Sequence, residues 1–263
     1  MENSLDVKKF YEEHSESDRE TRMPLEFMRT REIISRYLTR ENMNIADVAG
    51  GTGVYSFWLA GLGHQVHLLD LAQNQIDYAK KQSLKTNVML ASYTCSDARH
   101  LPYDDESLDI VLLMGALYHL QERNDRLQCL SEAKRVLKTN GVLLCTYISR
   151  YAAMIGYYKW GNIDNSIIKL IDETLTTGKY ENIPWFTYAV YHTPDEIISE
   201  ISDSHFSDPR LIAVEGFANA YDFDNFKNDE YKLAQLLRHI EMTETKPELL
   251  GVSKDIIAVG VKR

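Results

Sequence analysis

The sequence from residue 44 to residue 58 reads Asn44-Ile-Ala-Asp47-Val-Ala49-Gly50-Gly51-Thr-Gly53-Val-Tyr-Ser56-Phe-Trp58. In this stretch an apolar run leads into a glycine-rich turn and then directly into a helical pattern. Glycines in such a turn let the backbone come close to a ligand and present N–H groups at a helix N-terminus. Asp70 ends the next apolar run, where a carboxylate can accept both hydroxyls of a ribose. The stretch therefore predicts a nucleotide-type binding site.

Strand-like apolar runs follow one another along the chain, and helical patterns separate them. Strands that alternate with helices form a parallel sheet with helices on both faces. We therefore predict an α/β, doubly wound, mostly parallel seven-stranded sheet with helical lid insertions. The predicted strands are Ile45–Ala49, Val66–Leu69, Val88–Ser92, Leu108–Met114, Val142–Ile148, Leu211–Val214 and Asp255–Val261.

The pattern divides the chain into four parts. Residues 1–43 are helical, and residues 44–148 carry the alternating strands and helices of a cofactor-binding core. Residues 149–192 interrupt the alternation and are rich in aromatic residues. Residues 193–263 return to the core with closing strands and contain a second insert. Long ordered insertions are commonly lids or binding elements, so we expect the aromatic insert to contact substrate.

Composition narrows the classes of function. The 263 residues include 29 basic and 39 acidic side chains, a net charge of −10, which disfavours a nucleic-acid partner. Three scattered cysteines suit neither a disulfide framework nor a thiolate metal site, and no other ligand spacing predicts a metal. No apolar run is long enough to cross a bilayer, and the N-terminus has no signal-peptide pattern. We expect a cytoplasmic protein without a membrane or nucleic-acid partner.

Two classes of cofactor compete for the glycine-rich turn. The pattern Gly51-x-Gly53-x-x-Ser56 nearly matches the dinucleotide fingerprint, with Ser56 in place of the third glycine. Asp47 precedes the turn, where a carboxylate suits the ammonium and sulfonium of S-adenosylmethionine better than a pyrophosphate. The turn therefore favours the methyl donor, and a nicotinamide-dependent reductase is the alternative from a different class.

The chain resembles class I S-adenosylmethionine-dependent methyltransferases of the small-molecule type from about Asn44 to Ile148. Besides Asp47–Gly53 and Asp70, the resemblance rests on Cys95–Arg99, Leu101–Val111 and Val136–Leu144. It implies that Asp70 binds the ribose, that Leu71 lies beside the adenine and that Asp97 faces the adenine amino group. It also implies an antiparallel closing pair of strands and a helical lid formed by residues 1–43.

The cofactor implied by the resemblance is S-adenosylmethionine, with S-adenosylhomocysteine as its product and without a metal. Ala49 stands where the family has its first glycine, and we expect an extended or helical φ at this position. The cofactor-binding residues implied by the resemblance are Asp47, Ala49, Gly50, Gly51, Gly53, Asp70, Leu71, Ser96, Asp97, Ala98 and Met114.

Methyl transfer from a sulfonium is an in-line displacement, so the protein mainly positions the acceptor, excludes water and removes a proton where needed. Ligands of open α/β sheets bind beyond the carboxyl ends of the strands, which here places the segment Met114–Leu120 beside the methyl group. His119 is the candidate base and Tyr118 a second catalytic candidate. A purely packing role for either side chain stays open.

Aromatic residues are the candidates for the acceptor pocket. An insert also has to bury a core of its own, so both uses of its aromatic rings stay open. One of Arg19, Arg22, Arg29 and Arg31 is a candidate for the methionine carboxylate, and the sequence does not single it out. The predicted substrate-binding residues are Tyr11, Tyr118, Tyr157, Trp160 and Trp185.

These features predict methyl transfer to an oxygen or nitrogen of a small apolar or aromatic acceptor. The partner would be a small-molecule methyl acceptor, and the protein a monomer or homodimer. A methyltransferase acting on tRNA or protein is the alternative within the same class.

Overall fold

The structure of the protein, a computed structural model, describes residues 2–13, 18–161, 163–180 and 186–263. A mixed sheet lies between two layers of helices. The strands are Asn44–Val48 (β1), Gln65–Asp70 (β2), Ser92–Cys95 (β3), Leu108–Leu113 (β4), Leu137–Ser149 (β5), Lys179–Tyr180 (β6), Ala189–His192 (β7), Ser207–Ala213 (β8) and Asp255–Val261 (β9).

The helices connect these strands and flank them on both faces of the sheet. The first three precede the sheet, two lie in the aromatic insert, and two in the second insert. The α-helices are Glu2–Glu13 (α1), Arg19–Arg22 (α2), Pro24–Ser35 (α3), Val54–Gly61 (α4), Gln73–Thr86 (α5), Arg123–Val136 (α6), Ala152–Trp160 (α7), Asn165–Thr177 (α8), Pro194–Asp203 (α9), Glu230–Thr243 (α10) and Pro247–Leu250 (α11).

The core of the sheet follows the predicted doubly wound order. Strands β3, β2, β1, β4 and β5 are neighbours in that order, and each of these pairs is parallel. Strand β9 runs antiparallel to β5, and β8 antiparallel to β9, which confirms the closing pair. The short strands β6 and β7 come from the aromatic insert, and β7 extends the edge of β5 at Ile148. Within the described residues, the sheet therefore has strands at or next to all seven predicted positions, and two additional ones.

Burial on both faces explains the apolar runs. In β4, Val111 and Leu113 pack into the cluster under α6 and α9, whereas Ile110 and Leu112 pack into the cluster under α3, α4 and α5. A strand between two helical layers has no solvent face, so its sequence cannot alternate between apolar and polar residues.

The predicted third strand is displaced along the chain. The sequence predicts Val88–Ser92, whereas the strand is Ser92–Cys95. Leu90 is buried against the helical layer that covers β1 and β2. The apolar run therefore packs in the segment that leads into the strand, before the strand begins. The strand itself lies at the sheet edge with half-buried side chains, which lets polar residues form it.

Each insert has a small apolar core of its own. Tyr157, Ile171, Tyr180 and Tyr191 are buried together in the aromatic insert. The second insert packs Leu236 and related side chains of α10 against the start of α3. No helix in the described part of the chain is both long and apolar enough to cross a membrane.

Candidate active site

A deep cleft opens at the carboxyl ends of the parallel strands. Its walls come from the turns after β1, β2, β3 and β4, from β5 and the start of β9, and from helices α1 to α5. The cleft measures about 1170 Å³ with its open mouth included, enough for a cofactor and a small acceptor. Predicted site residues that line it are Tyr11, Ala49, Gly50, Gly51, Asp70, Leu71, Ser96, Ala98, Met114, Tyr118 and His119.

The glycine-rich turn is held in place by Asp70. One carboxylate oxygen of Asp70 accepts a hydrogen bond from the backbone N–H of Gly51 at 2.8 Å, and the other from the N–H of Ala72 at 2.8 Å. Gly51 and Gly53 have left-handed φ angles of +57° and +82°, which glycine adopts without steric cost. At Gly50, a Cβ would lie 2.6 Å from the Cγ of Asp47, so the turn has no space for a side chain there.

Ala49 corrects an expectation from the sequence. Its φ is +56°, which is left-handed and neither extended nor helical. This conformation costs a non-glycine residue about 1–2 kcal/mol. The turn therefore imposes a glycine conformation at this position, and Ala49 is strained.

Asp47 lies beneath the turn and does not line the cleft. Its carboxylate is fully buried and accepts a hydrogen bond from the Ser56 hydroxyl at 2.6 Å. Burial raises the pKa of Asp47 to about 6. Gly53 is also absent from the walls, because it forms the N-terminal cap of α4. Both residues support the turn from behind instead of facing a ligand.

Asp97 is not among the residues that line the cleft, and it pairs with Arg99. The guanidinium of Arg99 lies 2.6 Å from Asp97 and 2.9 Å from Asp125. Burial alone would raise the pKa of Asp97, but the hydrogen bonds from Arg99 outweigh it and lower the pKa. Its chain neighbours Ser96 and Ala98 do line the cleft.

His119 stands where two covering segments meet. Its Nδ1 lies 2.9 Å from the carbonyl oxygen of Tyr188, which can only accept, so Nδ1 carries the proton. Its Nε2 lies 2.8 Å from the hydroxyl of Tyr11 on α1. Burial lowers the pKa of His119 to about 4, so the ring is neutral at neutral pH and its Nε2 accepts from the Tyr11 hydroxyl. The histidine thus joins α1 to the aromatic insert.

Helix α1 is fastened over the cleft at its C-terminal end. The last carbonyls of a helix have no partner within the helix. Here the amide of Gln75 donates to the carbonyl of Tyr11 at 2.7 Å, and Asn74 donates to the carbonyls of Tyr11 and Glu12 at 3.0 and 3.1 Å. Helix α5 therefore caps α1 and fixes the position of Tyr11.

Two predicted substrate-binding aromatics lie outside the cleft. The hydroxyl of Tyr157 is 3.0 Å from that of Tyr180 inside the insert's core, which the insert needs for its own stability. Trp160 is 68% exposed near the end of α7. Trp185 lies outside the described residues. Of the five predictions, Tyr11 and Tyr118 line the cleft.

The four arginines that are candidates for the methionine carboxylate differ in whether they reach the cleft. Arg19 lines the cleft and donates to the carboxylate of Glu26. Arg22 pairs with Asp18 at the surface, and Arg31 stacks over the ring of Trp58. Arg29 is buried against Glu244 and the carbonyl of Val214. Arg19 is therefore the candidate that can reach a ligand.

A buried charged cluster at the floor of the cleft was not anticipated. Glu26 and Asp255 line the cleft, and their carboxylates come within 4.8 Å of that of Glu215. The ammonium of Lys254 lies 3.0 Å from both Glu26 and Asp255. A charged residue at the start of an otherwise apolar strand was the available signal for Asp255.

Comparisons of sequence agree with this geometry. Residues 46–145 match the methyltransferase domain family. The ubiquinone/menaquinone biosynthesis C-methyltransferase UbiE of Rickettsia felis is 29% identical over 55% of this chain and 60% of its own length. The demethylmenaquinone methyltransferase of Staphylococcus aureus is 24% identical over 72% of this chain and 80% of its own. The chain spans about half the length of several curated relatives that it matches.

Solved structures share the fold. A SAM-dependent methyltransferase from Methanosarcina mazei aligns with a TM-score of 0.60 and 18% identity, over 88% of this chain and 96% of that one. Phosphoethanolamine N-methyltransferase 2 of Haemonchus contortus, in complex with S-adenosylmethionine, aligns with a TM-score of 0.56 and 15% identity. This alignment covers 88% of this chain and 51% of the Haemonchus contortus chain. At these identities the likeness establishes the fold.

Proposed function

Because residues 46–145 form a methyltransferase domain of the class I S-adenosylmethionine-dependent type, we propose that the protein methylates a small-molecule acceptor. One observation carries the proposal. A single cleft joins the Asp70 carboxylate and the glycine-rich turn to the neutral ring of His119. Cofactor recognition and proton removal thus share one enclosed space.

The cleft residues fit S-adenosylmethionine. Asp70 is a buried carboxylate on the cleft wall, where it can accept hydrogen bonds from ribose hydroxyls. Gly115 lines the cleft, and a Cβ there would lie 3.1 Å from the carbonyl oxygen of Ala49. Its lack of a side chain keeps the space beside the turn open. When bound, S-adenosylmethionine supplies a methyl group already activated by its sulfonium.

His119 is the proposed base. Its Nδ1 is held by the Tyr188 carbonyl, so Nε2 keeps a lone pair directed at the Tyr11 hydroxyl. The Tyr11 hydroxyl can pass its own proton to this nitrogen while its oxygen takes the proton of an acceptor hydroxyl or amine that binds beside it. The low pKa of His119 keeps the nitrogen unprotonated at neutral pH. Tyr118, whose ring centroid lies 4.6 Å from that of His119, shapes the same wall.

The proposed acceptor is a small apolar or aromatic molecule that is methylated on oxygen or nitrogen. Apolar side chains such as Val54, Met114 and Leu120 line the cleft, and α1 and the aromatic insert meet over it. A cleft covered in this way suits a small ligand better than a tRNA or protein surface. The relatives named as quinone-biosynthesis C-methyltransferases favour an aromatic ring carbon as the second candidate.

An acceptor screen tests this proposal. The protein would be incubated with methyl-labelled S-adenosylmethionine and with phenols, arylamines and hydroquinones, which offer oxygen, nitrogen and ring carbon. We expect labelled product from at least one class and little from the Asp70→Ala variant. Transfer to bulk tRNA or to a protein mixture, with none to the small molecules, would contradict the proposal.

A further inference from the structure

The charged cluster lies at the opposite end of the cleft from the ribose carboxylate. Asp255 begins β9 and pairs with Ile148 at the end of β5. In the sheet, β5 and β9 lie beyond β4, whereas Asp70 ends β2 on the other side of β1. Thr146 of β5 lines the cleft near the same end. The cluster therefore faces the part of the cleft beyond β4, away from the ribose carboxylate.

Asp255 has an unused acceptor in this half. The residue is only 3% exposed, and its Oδ2 accepts from the Lys254 ammonium at 3.0 Å. Within the described ranges, the other oxygen of Asp255 has no hydrogen-bond donor, although the residue lines the cleft. Since this oxygen is not among the buried atoms without a partner, it is accessible from the cleft, and a ligand can donate to it a hydrogen bond that the carboxylate charge strengthens.

The cluster also carries an excess of negative charge. Its carboxylates are Glu26, Glu215 and Asp255, and its cations are Arg19 and Lys254, so the sum when all are ionised is 2 − 3 = −1. Burial and the neighbouring charge of Asp255 raise the pKa of Glu215 to about 8. Glu215 thus holds a proton at neutral pH, and this proton balances the third negative charge of the cluster.

We propose that the floor of the cleft recognises a protonated amine on the acceptor, with Asp255 as the residue that binds the ammonium. The proposal extends the methyltransferase function proposed above to a class of acceptor. The ammonium supplies the missing donor and the missing positive charge together. A metal ion would meet the Lys254 ammonium at the same place, whereas an organic amine can bind on the cleft side of Asp255.

The test is a calorimetric titration with phenethylamine and with its neutral analogue phenethyl alcohol. Both would be titrated into the full chain, with and without saturating S-adenosylhomocysteine, in two buffers of different ionisation enthalpy. We expect the amine to bind at least about tenfold more tightly than the alcohol and to release up to about one proton per amine, which the alcohol does not.

Asp255→Asn removes the charge while it keeps the shape. We expect this variant to lose about ten- to hundredfold in amine affinity and little in alcohol affinity. The control Asp224→Asn changes an aspartate whose side chain is 68% exposed, and it should bind the amine like the wild type. If Asp255→Asn does not fold, the amine and alcohol titrations of the wild type still decide the proposal.

Three results would overturn the proposal: equal affinities for amine and alcohol, no amine binding to a protein that binds S-adenosylhomocysteine, or unchanged amine affinity in Asp255→Asn. If the variant instead loses affinity for S-adenosylhomocysteine alone, the cluster binds the cofactor's own ammonium. These results differ from the result expected if the protein is not a methyltransferase. In that case the amine would still bind, but S-adenosylhomocysteine would not.

Discussion

Gly50→Ala is the sharpest perturbation of the cofactor turn, because it adds one methyl group at a defined place. The new Cβ would lie 2.6 Å from both the Cγ of Asp47 and the Cδ1 of Leu68. Carbon atoms in contact are normally about 3.5–4.0 Å apart. Both neighbours are fully buried, and the Asp47 carboxylate is hydrogen-bonded to Ser56. The backbone of the turn therefore has to move by about 1 Å to reach ordinary contact.

The magnitude follows from this overlap. Overpacking of a tight interior costs about 1–3 kcal/mol, so we expect the free energy of unfolding to decrease by that amount. The displacement also moves the N–H of Gly51, which donates to Asp70. Since Asp70 is the proposed ribose carboxylate, affinity for S-adenosylhomocysteine should fall about tenfold or more, equivalent to about 1.4 kcal/mol.

The assay combines urea unfolding with calorimetric titration of S-adenosylhomocysteine. Gly61→Ala is the matched control, because Gly61 ends the helix that follows the turn and a Cβ there meets nothing within 4 Å. The control should keep its affinity and be as stable as the wild type or slightly more so. If Gly50→Ala matched the control in both measurements, the placement of the turn against Asp47 and Leu68 would be refuted.

Three further predictions concern neighbouring residues. Ala49→Gly should increase the free energy of unfolding by about 1 kcal/mol in urea titrations, because it relieves a left-handed φ; a clear loss of stability would show that the strain is absent. Asp70→Ala should weaken S-adenosylhomocysteine binding about ten- to hundredfold in calorimetry, and unchanged affinity would contradict the ribose site. His119→Ala should slow single-turnover methyl transfer while cofactor affinity is kept, and an unaffected rate would leave His119 a packing residue. Because the pKa of His119 is lowered from 6.5 to about 4, the unfolded state binds more protons between these values. The free energy of unfolding should therefore decrease as the pH is lowered from 6.5 to about 4, and it should decrease less steeply in the His119→Ala variant.

The parts of the fold and site that the sequence predicted are those fixed by local pattern. The turn from Asp47 to Gly53 and the carboxylate of Asp70 lie within one strand–turn–helix unit and the strand after it. Their position at the cleft follows from the rule that parallel strands bind ligands at their carboxyl ends. The apolar run of β4 was equally informative, because a strand covered on both faces needs apolar residues throughout.

The parts that were missed depend on contacts between distant segments. Tyr157 and Trp160 have the composition of a pocket, but whether an aromatic ring faces the cleft, the insert's core or solvent depends on how the insert packs. Arg99, which pairs with Asp97, also reaches Asp125 of α6, a partner that no local pattern indicates. The meeting of Glu26 and Asp255 joins residues far apart in the chain, and no local pattern records it.

The assignment of the cleft to S-adenosylmethionine is tested most directly by a calorimetric titration with S-adenosylhomocysteine, with NADH and NADPH as controls. The geometry of Asp70 and the glycine turn predicts binding of S-adenosylhomocysteine in the micromolar range and no heat from either nicotinamide nucleotide. A clear signal from a nicotinamide nucleotide, with none from S-adenosylhomocysteine, would contradict the assignment and identify the turn as a dinucleotide site.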